Sequence, residues 1–232
     1  DIVVGFGGYP SASAVQAAFG LKIKTMIHEQ NSIIGLTNKI LIKKVDQIVC
    51  CYQKAYQEFP KEKTLLLGNP RASVIVHEQP KDVYDEYHLD RQKKVVTIVM
   101  GSLGSQTVNQ TMKECMDQFK GKDYQVVYVS GKPYYESMKA YENENVHIVP
   151  YVNDMPSLMH ITDLIVSRAG ASTLAELTAL GVPAILIPSP YVSANHQEYN
   201  ARELVNNQAA DMILEKDLTG EKLISTIDAI IN

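Results

Sequence analysis

The segment from Ser167 to Glu176 has residue types and a spacing that could hold a nucleotide diphosphate. It joins an apolar, strand-like stretch to a predicted helix through glycine and alanine, which let a ligand approach the main chain closely. The N–H groups that open such a helix attract anions, because the positive end of the helix dipole lies behind them. About one turn later, the carboxylate of Glu176 could accept hydrogen bonds from both hydroxyls of a ribose. The alternative is an ordinary strand-to-helix turn with Glu176 on a solvated face.

Four consecutive polar side chains, from His28 to Asn31, follow the second predicted strand. They lie at the carboxyl end of that strand, where α/β sheets bind ligands. His28 or Glu29 could act as a base, and Asn31 could hydrogen-bond sugar hydroxyls. The alternative assigns Asn31 and Ser32 to capping of the next helix and makes His28 a buried, hydrogen-bonded residue. Both interpretations can hold together.

A second glycine-containing loop, Gly101–Ser105, offers N–H groups and the hydroxyls of Ser102 and Ser105 to phosphate oxygens. It lacks the lysine of a Walker loop, which disfavours an ATPase or a kinase. Ser105 could also simply cap the helix that follows.

Three further loops carry single candidate residues. The guanidinium of Arg71 could clamp a diphosphate or a uracil carbonyl. Gln197 could pair with sugar hydroxyls from the first turn of a predicted helix, for which Asn195 is a candidate N-cap. The backbone of Val152 could pair with the flat edge of a base. Each of these signals is weak alone.

The amino-acid composition limits which classes of protein this chain can belong to. With 232 residues and 45% hydrophobic content, the chain is long enough for two small α/β domains. A net charge of −4 gives no reason to expect nucleic-acid binding. The three cysteines form no CxxC pair, which fits buried thiols in a reducing cytosol. No apolar stretch approaches the roughly 20 residues of a membrane helix, so we expect a soluble protein that can still touch a membrane.

Apolar strand-like stretches alternate with helical periods, which is typical of parallel βαβ construction. The predicted strands are Ile2–Val4, Thr25–Ile27, Gln47–Cys51, Thr64–Leu67, Val95–Met100, Gln125–Val129, Val146–Val149, Leu164–Val166, Ala184–Ile187 and Asp211–Leu214. The predicted helices are Ala12–Phe19, Leu36–Lys44, Gln106–Phe119, Tyr134–Tyr141, Met155–Met159, Ser172–Leu180, His196–Asn206 and Gly220–Ile231. A charged stretch between Arg71 and Lys94 breaks the apolar rhythm and suggests an interdomain connection. The chain starts inside a strand pattern without a methionine, so we expect a fragment.

Seven segments in this order resemble the MurG family of bacterial glycosyltransferases, which add N-acetylglucosamine to the undecaprenyl-linked muramyl-pentapeptide of peptidoglycan. These segments are Val4–Pro10, His28–Asn31, Gly68–Arg71, Gly101–Ser105, Pro150–Met155, Ser167–Thr173 with Glu176, and His196–Gln197 with Asn200–Arg202. The resemblance implies an α/β protein of GT-B fold, with two Rossmann-like domains whose parallel sheets face a cleft. Residues 1–75 would be the remaining part of an acceptor and membrane-side domain, 76–93 the connection, and 94–232 a UDP-sugar-binding domain.

The resemblance also implies roles for individual residues. It places uracil near Arg168 and the backbone of Val152, ribose on Glu176, and diphosphate beside Ser102. It also places Ala171, Ser172 and Thr173 at the diphosphate, and Gln197 with its neighbour His196 at the N-acetylglucosamine. Asn31 and Arg71 would lie elsewhere around the donor.

The implied reaction is an inverting transfer from UDP-N-acetylglucosamine to the C4 hydroxyl of the muramyl sugar of undecaprenyl-pyrophosphoryl-MurNAc-pentapeptide, which converts lipid I to lipid II. Glu29 and His28 are the candidate bases. No cofactor is implied, and we expect no metal because no DxD-like carboxylate pair follows a strand. The lipid acceptor implies a cytoplasmic protein that is peripheral on the inner face of the bacterial membrane.

Contact with an anionic membrane surface is expected at Leu36–Lys44, where Lys39, Lys43 and Lys44 lie beside apolar residues. The alternative is an ordinary packed helix with a solvated lysine face.

Two departures from the family pattern affect these expectations. The family's glycine-rich loop ending in histidine, which serves the acceptor, is absent, so we expect a weakly active or inactive transferase. The residues before Gln197 are Ser-Ala-Asn-His, whereas Asp-Asp-His is commoner in the family, which leaves the local sugar contacts open. The rival hypotheses are a UDP-N-acetylglucosamine 2-epimerase, which the His28–Asn31 segment disfavours, and a noncatalytic UDP-sugar-binding subunit that needs a partner.

Overall fold

The computed structural model describes residues 1–231 and contains two parallel β-sheets. The first sheet has the order β1-β2-β3-β4, and its strands are Ile2–Gly5, Lys24–Glu29, Gln47–Cys50 and Thr64–Leu66. The second sheet contains strands β5 to β10, which are Lys94–Val99, Tyr124–Val129, Val146–Val149, Leu164–Ser167, Ala184–Leu186 and Asp211–Met212. The α/β prediction is confirmed, and each predicted strand overlaps an observed one.

The second sheet has the order β10-β9-β8-β5-β6-β7, so the direction of winding reverses between β5 and β8. These two strands are hydrogen-bonded neighbours in parallel register, with Val99 opposite Ser167. Both are buried apart from the exposed Lys94, because helices cover both faces of the sheet, and this burial explains their continuous apolar sequence. Open parallel sheets bind ligands at such a reversal, outside the carboxyl ends of the strands.

Ten α-helices, numbered α1 to α10 in chain order, connect the strands of the described chain. They are Gly8–Gly20, Leu36–Leu41, Gln53–Glu58, Pro70–His77, Gln106–Cys115, Tyr135–Met138, Met155–His160, Ala171–Leu180, His196–Asn206 and Gly220–Ile231. Short 3₁₀ turns extend α2, α5 and α6 to Lys44, Phe119 and Tyr141, close to the predicted ends. Within residues 1–231, no helix is long and apolar enough to cross a membrane.

Two helices were not predicted, and one begins earlier than predicted. The sequence analysis missed α3 and α4, and it started α1 at Ala12 although the helix begins at Gly8 inside the glycine-rich segment. The start of α4 carries a recognisable signal, since the side chain of Asn69 accepts a hydrogen bond from the N–H of Arg71 at 3.0 Å and Pro70 occupies the first turn.

The chain passes from the first sheet to the second between the end of β4 and the start of α4. Helix α4 packs against α8, and its residue Ile75 is fully buried in the core beside the second sheet. Val83, Tyr87 and Leu89 are buried in the same core. The division at residues 75 and 94 stays a prediction, and the predicted second domain includes Asn232, which lies outside the described residues.

Candidate functional site

A cavity of about 680 Å³ opens at the carboxyl ends of β5 and β8, where the strand order reverses. We call it the switch-point cavity. Its lining includes Gly101, Ser102, Gly104, Ser105, Thr107, Tyr151, Val152, Arg168, Gly170, Thr173, Glu176, Ser189, Tyr191 and Gln197. Its volume lies in the range of pockets that hold small-molecule ligands.

Two helices begin at the wall of this cavity. Helix α5 follows β5, and the hydroxyl of Ser105 caps it by accepting a hydrogen bond from the N–H of Val108 at 3.4 Å. Helix α8 follows β8, and its N-cap residue Gly170 has no side chain that could occupy the first N–H groups. The cavity therefore receives the positive ends of two helix dipoles, and the N–H groups that open α8 are available to an anion.

The loop Gly101–Ser105 is held in place by close backbone packing. Gly104 has φ of +72°, and a Cβ atom there would lie 2.2 Å from the carbonyl oxygen of Ser130. Gly131 has φ of +86° and has equally little space for a side chain, since a Cβ atom there would lie 2.5 Å from the carbonyl oxygen of Leu103. Glycine is required at both positions, by the backbone conformation and by the space.

The buried side chain of Asn109 fixes the same region from within α5. Its Nδ2 donates to the carbonyl oxygens of Ser105 at 2.8 Å and Ser130 at 3.1 Å, and its Oδ1 accepts from the hydroxyl of Tyr128 at 2.8 Å. Every strong hydrogen-bonding group of this amide is thereby used, which makes the start of α5 rigid.

Arg168 is the positively charged side chain in the cavity wall. Its Nη2 lies 2.9 Å from the hydroxyl of Ser105 and 2.5 Å from Oε2 of the buried Glu215, and its Nη1 donates to the carbonyl oxygen of Ile187 at 3.0 Å. These contacts join the ends of β8 and β9 to the start of α5, so the guanidinium has a fixed orientation.

Glu176 is the acidic residue in the cavity wall, and it is ion-paired with Arg71. Arg71 belongs to the first turn of α4, and its Nη2 lies 2.5 Å from Oε1 of Glu176. The carboxylate is largely buried, with 13% of its side chain exposed, whereas the arginine side chain is 41% exposed. Arg71 does not line the cavity, but it contacts a residue that does.

Gln197 lies in the first turn of α9 and lines the cavity. Its Oε1 accepts a hydrogen bond from the N–H of Ser189 at 2.8 Å, which orients the amide so that Nε2 remains as a donor for a ligand. The neighbouring His196 does not line the cavity, and its Nδ1 lies 2.9 Å from the carbonyl oxygen of Ser193. Asn195 occupies the N-cap position of α9 but makes no capping hydrogen bond there.

Glu29 and His28 lie at the end of β2, outside the switch-point cavity. Both are almost completely buried, with 2% of Glu29 and 5% of His28 exposed. Oε1 of Glu29 accepts from the backbone and side-chain nitrogens of Asn31 at 3.0 Å and 3.3 Å. Its Oε2 accepts from the N–H of Gly35 at 2.9 Å and from Nδ2 of Asn38 at 2.8 Å. The carboxylate therefore organises the whole loop after β2.

His28 has one nitrogen with partners and one without. Its Nε2 lies 3.2 Å from the carbonyl oxygen of Gly68 and 3.6 Å from Sγ of Cys51, while Nδ1 is buried and has no partner among the described residues. The alternative interpretation in which Asn31 and Ser32 cap the next helix is wrong, because the N-cap of α2 is Gly35.

The structure brings six of the thirteen candidate residues together in the cavity, as counted from its lining: Ser102, Val152, Arg168, Thr173, Glu176 and Gln197. Seven candidates lie outside its lining, namely His28, Glu29, Asn31, Arg71, Ala171, Ser172 and His196. The sequence analysis assigned no individual role to Tyr191, Asn109 or Asn200. The signal that could have found the two asparagines is a polar residue on the apolar side of an amphipathic helix.

Comparison with known proteins agrees with this geometry. Residues 95–232 match the glycosyltransferase family 28 C-terminal domain, and residues 1–50 match the glycosyltransferase family 28 N-terminal domain. The chain is 45% identical over 236 aligned residues to a Bacillus cytotoxicus protein named UDP-N-acetylglucosamine–N-acetylmuramyl-(pentapeptide) pyrophosphoryl-undecaprenol N-acetylglucosamine transferase. A Listeria monocytogenes protein of the same name is 46% identical. Both alignments cover all of this chain and 65% of the relative.

Among solved structures, Acinetobacter baumannii MurG matches with a TM-score of 0.81 and 29% identity, over 100% of this chain and 65% of that one. A putative UDP-N-acetylglucosamine 2-epimerase from Listeria monocytogenes has a TM-score of 0.78 over 100% of this chain and 66% of that one, but at 12% identity this likeness shows the fold alone. The two parallel sheets and these matches confirm the GT-B fold and the resemblance to the MurG family. The chain belongs to glycosyltransferase family 28.

Proposed function

We propose that this chain carries the nucleotide-sugar site of an inverting transferase that moves N-acetylglucosamine from UDP-N-acetylglucosamine to the C4 hydroxyl of the muramyl sugar of undecaprenyl-pyrophosphoryl-MurNAc-pentapeptide. The observation that carries the proposal is the switch-point cavity, where two helix N-termini and Arg168 surround a space that fits a nucleotide diphosphate. The names of the 45% and 46% identical relatives support the choice of substrates. Because the chain spans 65% of their length, the complete reaction is proposed for the full-length protein.

The cavity offers a separate group for each part of the donor. The base would pair with the backbone of Val152 near Arg168, and the ribose hydroxyls would donate to Glu176. The diphosphate would lie between Ser102 and the turn formed by Ala171, Ser172 and Thr173. Gln197, with His196 beside it, would hold the sugar hydroxyls.

The same groups would favour departure of UDP. The breaking bond between the anomeric carbon and the phosphate oxygen leaves its electron pair on UDP, so negative charge grows on the diphosphate. The N–H groups at the start of α8 and the fixed guanidinium of Arg168 can stabilise this charge. The acceptor C4 oxygen forms the new bond, and its proton goes to a base, for which Glu29 and His28 are the proposed candidates.

We also place the protein on the cytoplasmic face of the membrane as a peripheral protein, with α2 and the turn after it as a contact with anionic lipid. Leu36 and Ile40 are 76% and 56% exposed, and Lys39 and Lys43 are exposed on the same side at helical spacing. Apolar and basic side chains on one exposed helix face support binding to anionic headgroups.

Calorimetric titration of this chain tests the donor proposal. We expect UDP-N-acetylglucosamine to bind with a well-defined affinity, UDP-N-acetylgalactosamine to bind more weakly because its C4 hydroxyl is inverted, and ADP-glucose not to bind. UDP alone should bind, since base, ribose and diphosphate contacts all belong to the cavity. Absence of binding by every uridine compound, or preference for ADP-glucose, would contradict the proposal.

A further inference from the structure

Asn200 in α9 is a fully buried polar residue between the two sheets, with 0% of its surface exposed. It lies less than one helical turn after Gln197, which lines the switch-point cavity. A buried amide is stable only when its donors and acceptor are satisfied, so its partners show what it holds.

Its partners belong to both sheets. Oδ1 of Asn200 accepts a hydrogen bond from the N–H of Ser32 at 2.8 Å, and Nδ2 donates to Oδ1 of Asn31 at 3.0 Å. The same Nδ2 donates to the carbonyl oxygen of Ala169 at 3.4 Å. Asn31 and Ser32 follow β2 of the first sheet, whereas Ala169 follows β8 of the second sheet.

On the side of the first sheet, the network continues to Glu29. The side chain of Asn31 is held at its oxygen by Asn200 and at its nitrogen by Glu29, whose other oxygen accepts from Gly35. An amide fixed at both ends cannot flip without losing both contacts, so Asn200 determines which way Asn31 is oriented.

On the side of the second sheet, Ala169 lies between Arg168 and Gly170, which both line the cavity. Asn200 therefore connects the loop that begins α8 with the loop that carries the candidate base. The two loops follow strands of different sheets, and Asn31 and Ala169 are 138 residues apart in the sequence. Their relative position therefore depends on side-chain contacts between the sheets, such as those of Asn200.

We propose that Asn200 is a positioning residue that sets the Glu29–Asn31 loop of the first sheet against the donor cavity of the second. Its consequence for transfer rests on the proposed function, whereas its effect on the loop does not. A purely structural asparagine would stabilise the fold without linking the loop after β2 to occupancy of the cavity.

Hydrogen exchange on this chain, followed residue by residue, tests the proposal with the variants Asn200→Ala and Asn200→Asp. Without ligand, both variants should exchange the N–H groups of Asn31 and Gly35 about ten-fold faster than the unmodified chain, because the loop loses an orienting hydrogen bond. The aspartate keeps an acceptor for Ser32, so the N–H of Ser32 should stay protected in Asn200→Asp alone. The second variant also keeps the test valid if Asn200→Ala fails to fold.

Asn145→Ala is the matched control, because Asn145 is also a buried amide whose side chain is hydrogen-bonded, but its side-chain partners Lys93, Phe119 and Lys122 all lie shortly before strands of the second sheet. It should leave the exchange of Asn31 and Gly35 unchanged. Addition of UDP should slow the exchange of the Gly35 N–H in the unmodified chain and in the control, but not in Asn200→Ala. The reason is that UDP in the cavity can affect the loop after β2 only through the hydrogen bonds of Asn200 that connect the two.

Unchanged exchange at Asn31 and Gly35 in both Asn200 variants would overturn the proposal. So would a UDP effect on Gly35 that persists in Asn200→Ala. If UDP binds none of the proteins, the proposed function fails, while the ligand-free exchange still decides the role of Asn200.

Discussion

Arg71 and Glu176 form an ion pair that joins α4 to α8, with Nε and Nη2 of Arg71 lying 2.7 Å and 2.5 Å from Oε1 of Glu176. Arg71 comes directly after the crossing between the sheets, and Glu176 lines the switch-point cavity. Both arginine nitrogens use the same carboxylate oxygen. The second oxygen of Glu176 is thereby the one better placed to accept a hydrogen bond from a ligand hydroxyl.

Replacing Glu176 with glutamine should weaken UDP binding about ten-fold, because a charged acceptor of a hydroxyl is replaced by a neutral one. Calorimetric titration with UDP measures this change. Glu221→Gln, on the exposed start of α10, is the control and should bind UDP normally. Equal affinity in Glu176→Gln and the control would remove Glu176 from the ribose site.

Replacing Gly104 with alanine should destabilise the protein by about 2 kcal/mol or more, because the new Cβ would meet the carbonyl oxygen of Ser130 in addition to the strain of a positive φ. Gly101→Ala is the control. Gly101 has φ of +82° but no atom within 4 Å of the added Cβ, so only the backbone strain of about 1 kcal/mol should appear. Urea denaturation of both variants measures the difference, and equal losses would show that the loop can move away from Ser130.

Replacing Glu29 with glutamine in the full-length protein should lower kcat by at least about 100-fold, the range expected for a lost base. The glutamine NH₂ would also face N–H donors where the carboxylate accepts hydrogen bonds from Gly35 and Asn38. Full activity of this variant would exclude Glu29 as base and as organiser of the loop. The change at Glu58, exposed on α3, serves as the control.

Replacing Lys39 and Lys43 together with glutamate should reduce binding to vesicles that contain anionic lipid. Each basic residue near such a surface contributes about 1 kcal/mol, and reversal of the charge adds repulsion. Sedimentation with phosphatidylglycerol vesicles measures binding, with neutral vesicles as the reference. A pair of equivalent changes at two other exposed lysines, Lys120 and Lys222, which belong to the second half of the chain, should have little effect. Binding that is insensitive to Lys39 and Lys43 would favour the alternative of an ordinary packed helix.

The three cysteines should resist alkylation until the protein unfolds. Burial raises the pKa of Cys50 and Cys115 to about 11 and that of Cys51 to about 12. The reactive thiolate is therefore a minor species at pH 8, and its fraction rises only as the pH approaches these values. Mass spectrometry after a short treatment with iodoacetamide at pH 8 should find the native protein unmodified and the urea-denatured protein modified. Rapid alkylation of native Cys51, the one of the three that is only partly buried, would contradict the raised pKa of its thiol.

The sequence predicted the strands well because buried parallel strands have continuous apolar sequences that stand out from their surroundings. It missed α4, where a short helix leads directly into the charged residues after His77 and no clear helical period stands out, although Ile75 is buried in the second core. Tertiary packing decides whether such a mixed segment forms a helix, and a local pattern does not contain that information.

The cavity could be predicted from the sequence because several residues that line it, such as Ser102 and Arg168, follow directly after strands. The contacts of Arg71 and Asn200 could not be predicted in this way, because each residue binds a partner that is distant in the sequence. Arg71 and Glu176 are 105 residues apart, and Asn200 and Asn31 are 169 residues apart. Such contacts depend on how the sheets are placed, which no short-range pattern specifies.

The short crossing at residues 67–69 has a thermodynamic consequence. It connects the last strand of the first sheet directly to α4, so the contact surfaces of the two halves cannot diffuse apart. A short tether gives an effective concentration on the order of millimolar or more, at which even weak contacts between the halves are substantially formed. The hydrogen bonds around Asn200 and the ion pair at Arg71 can then help to hold the two halves together, although each contact is weak alone.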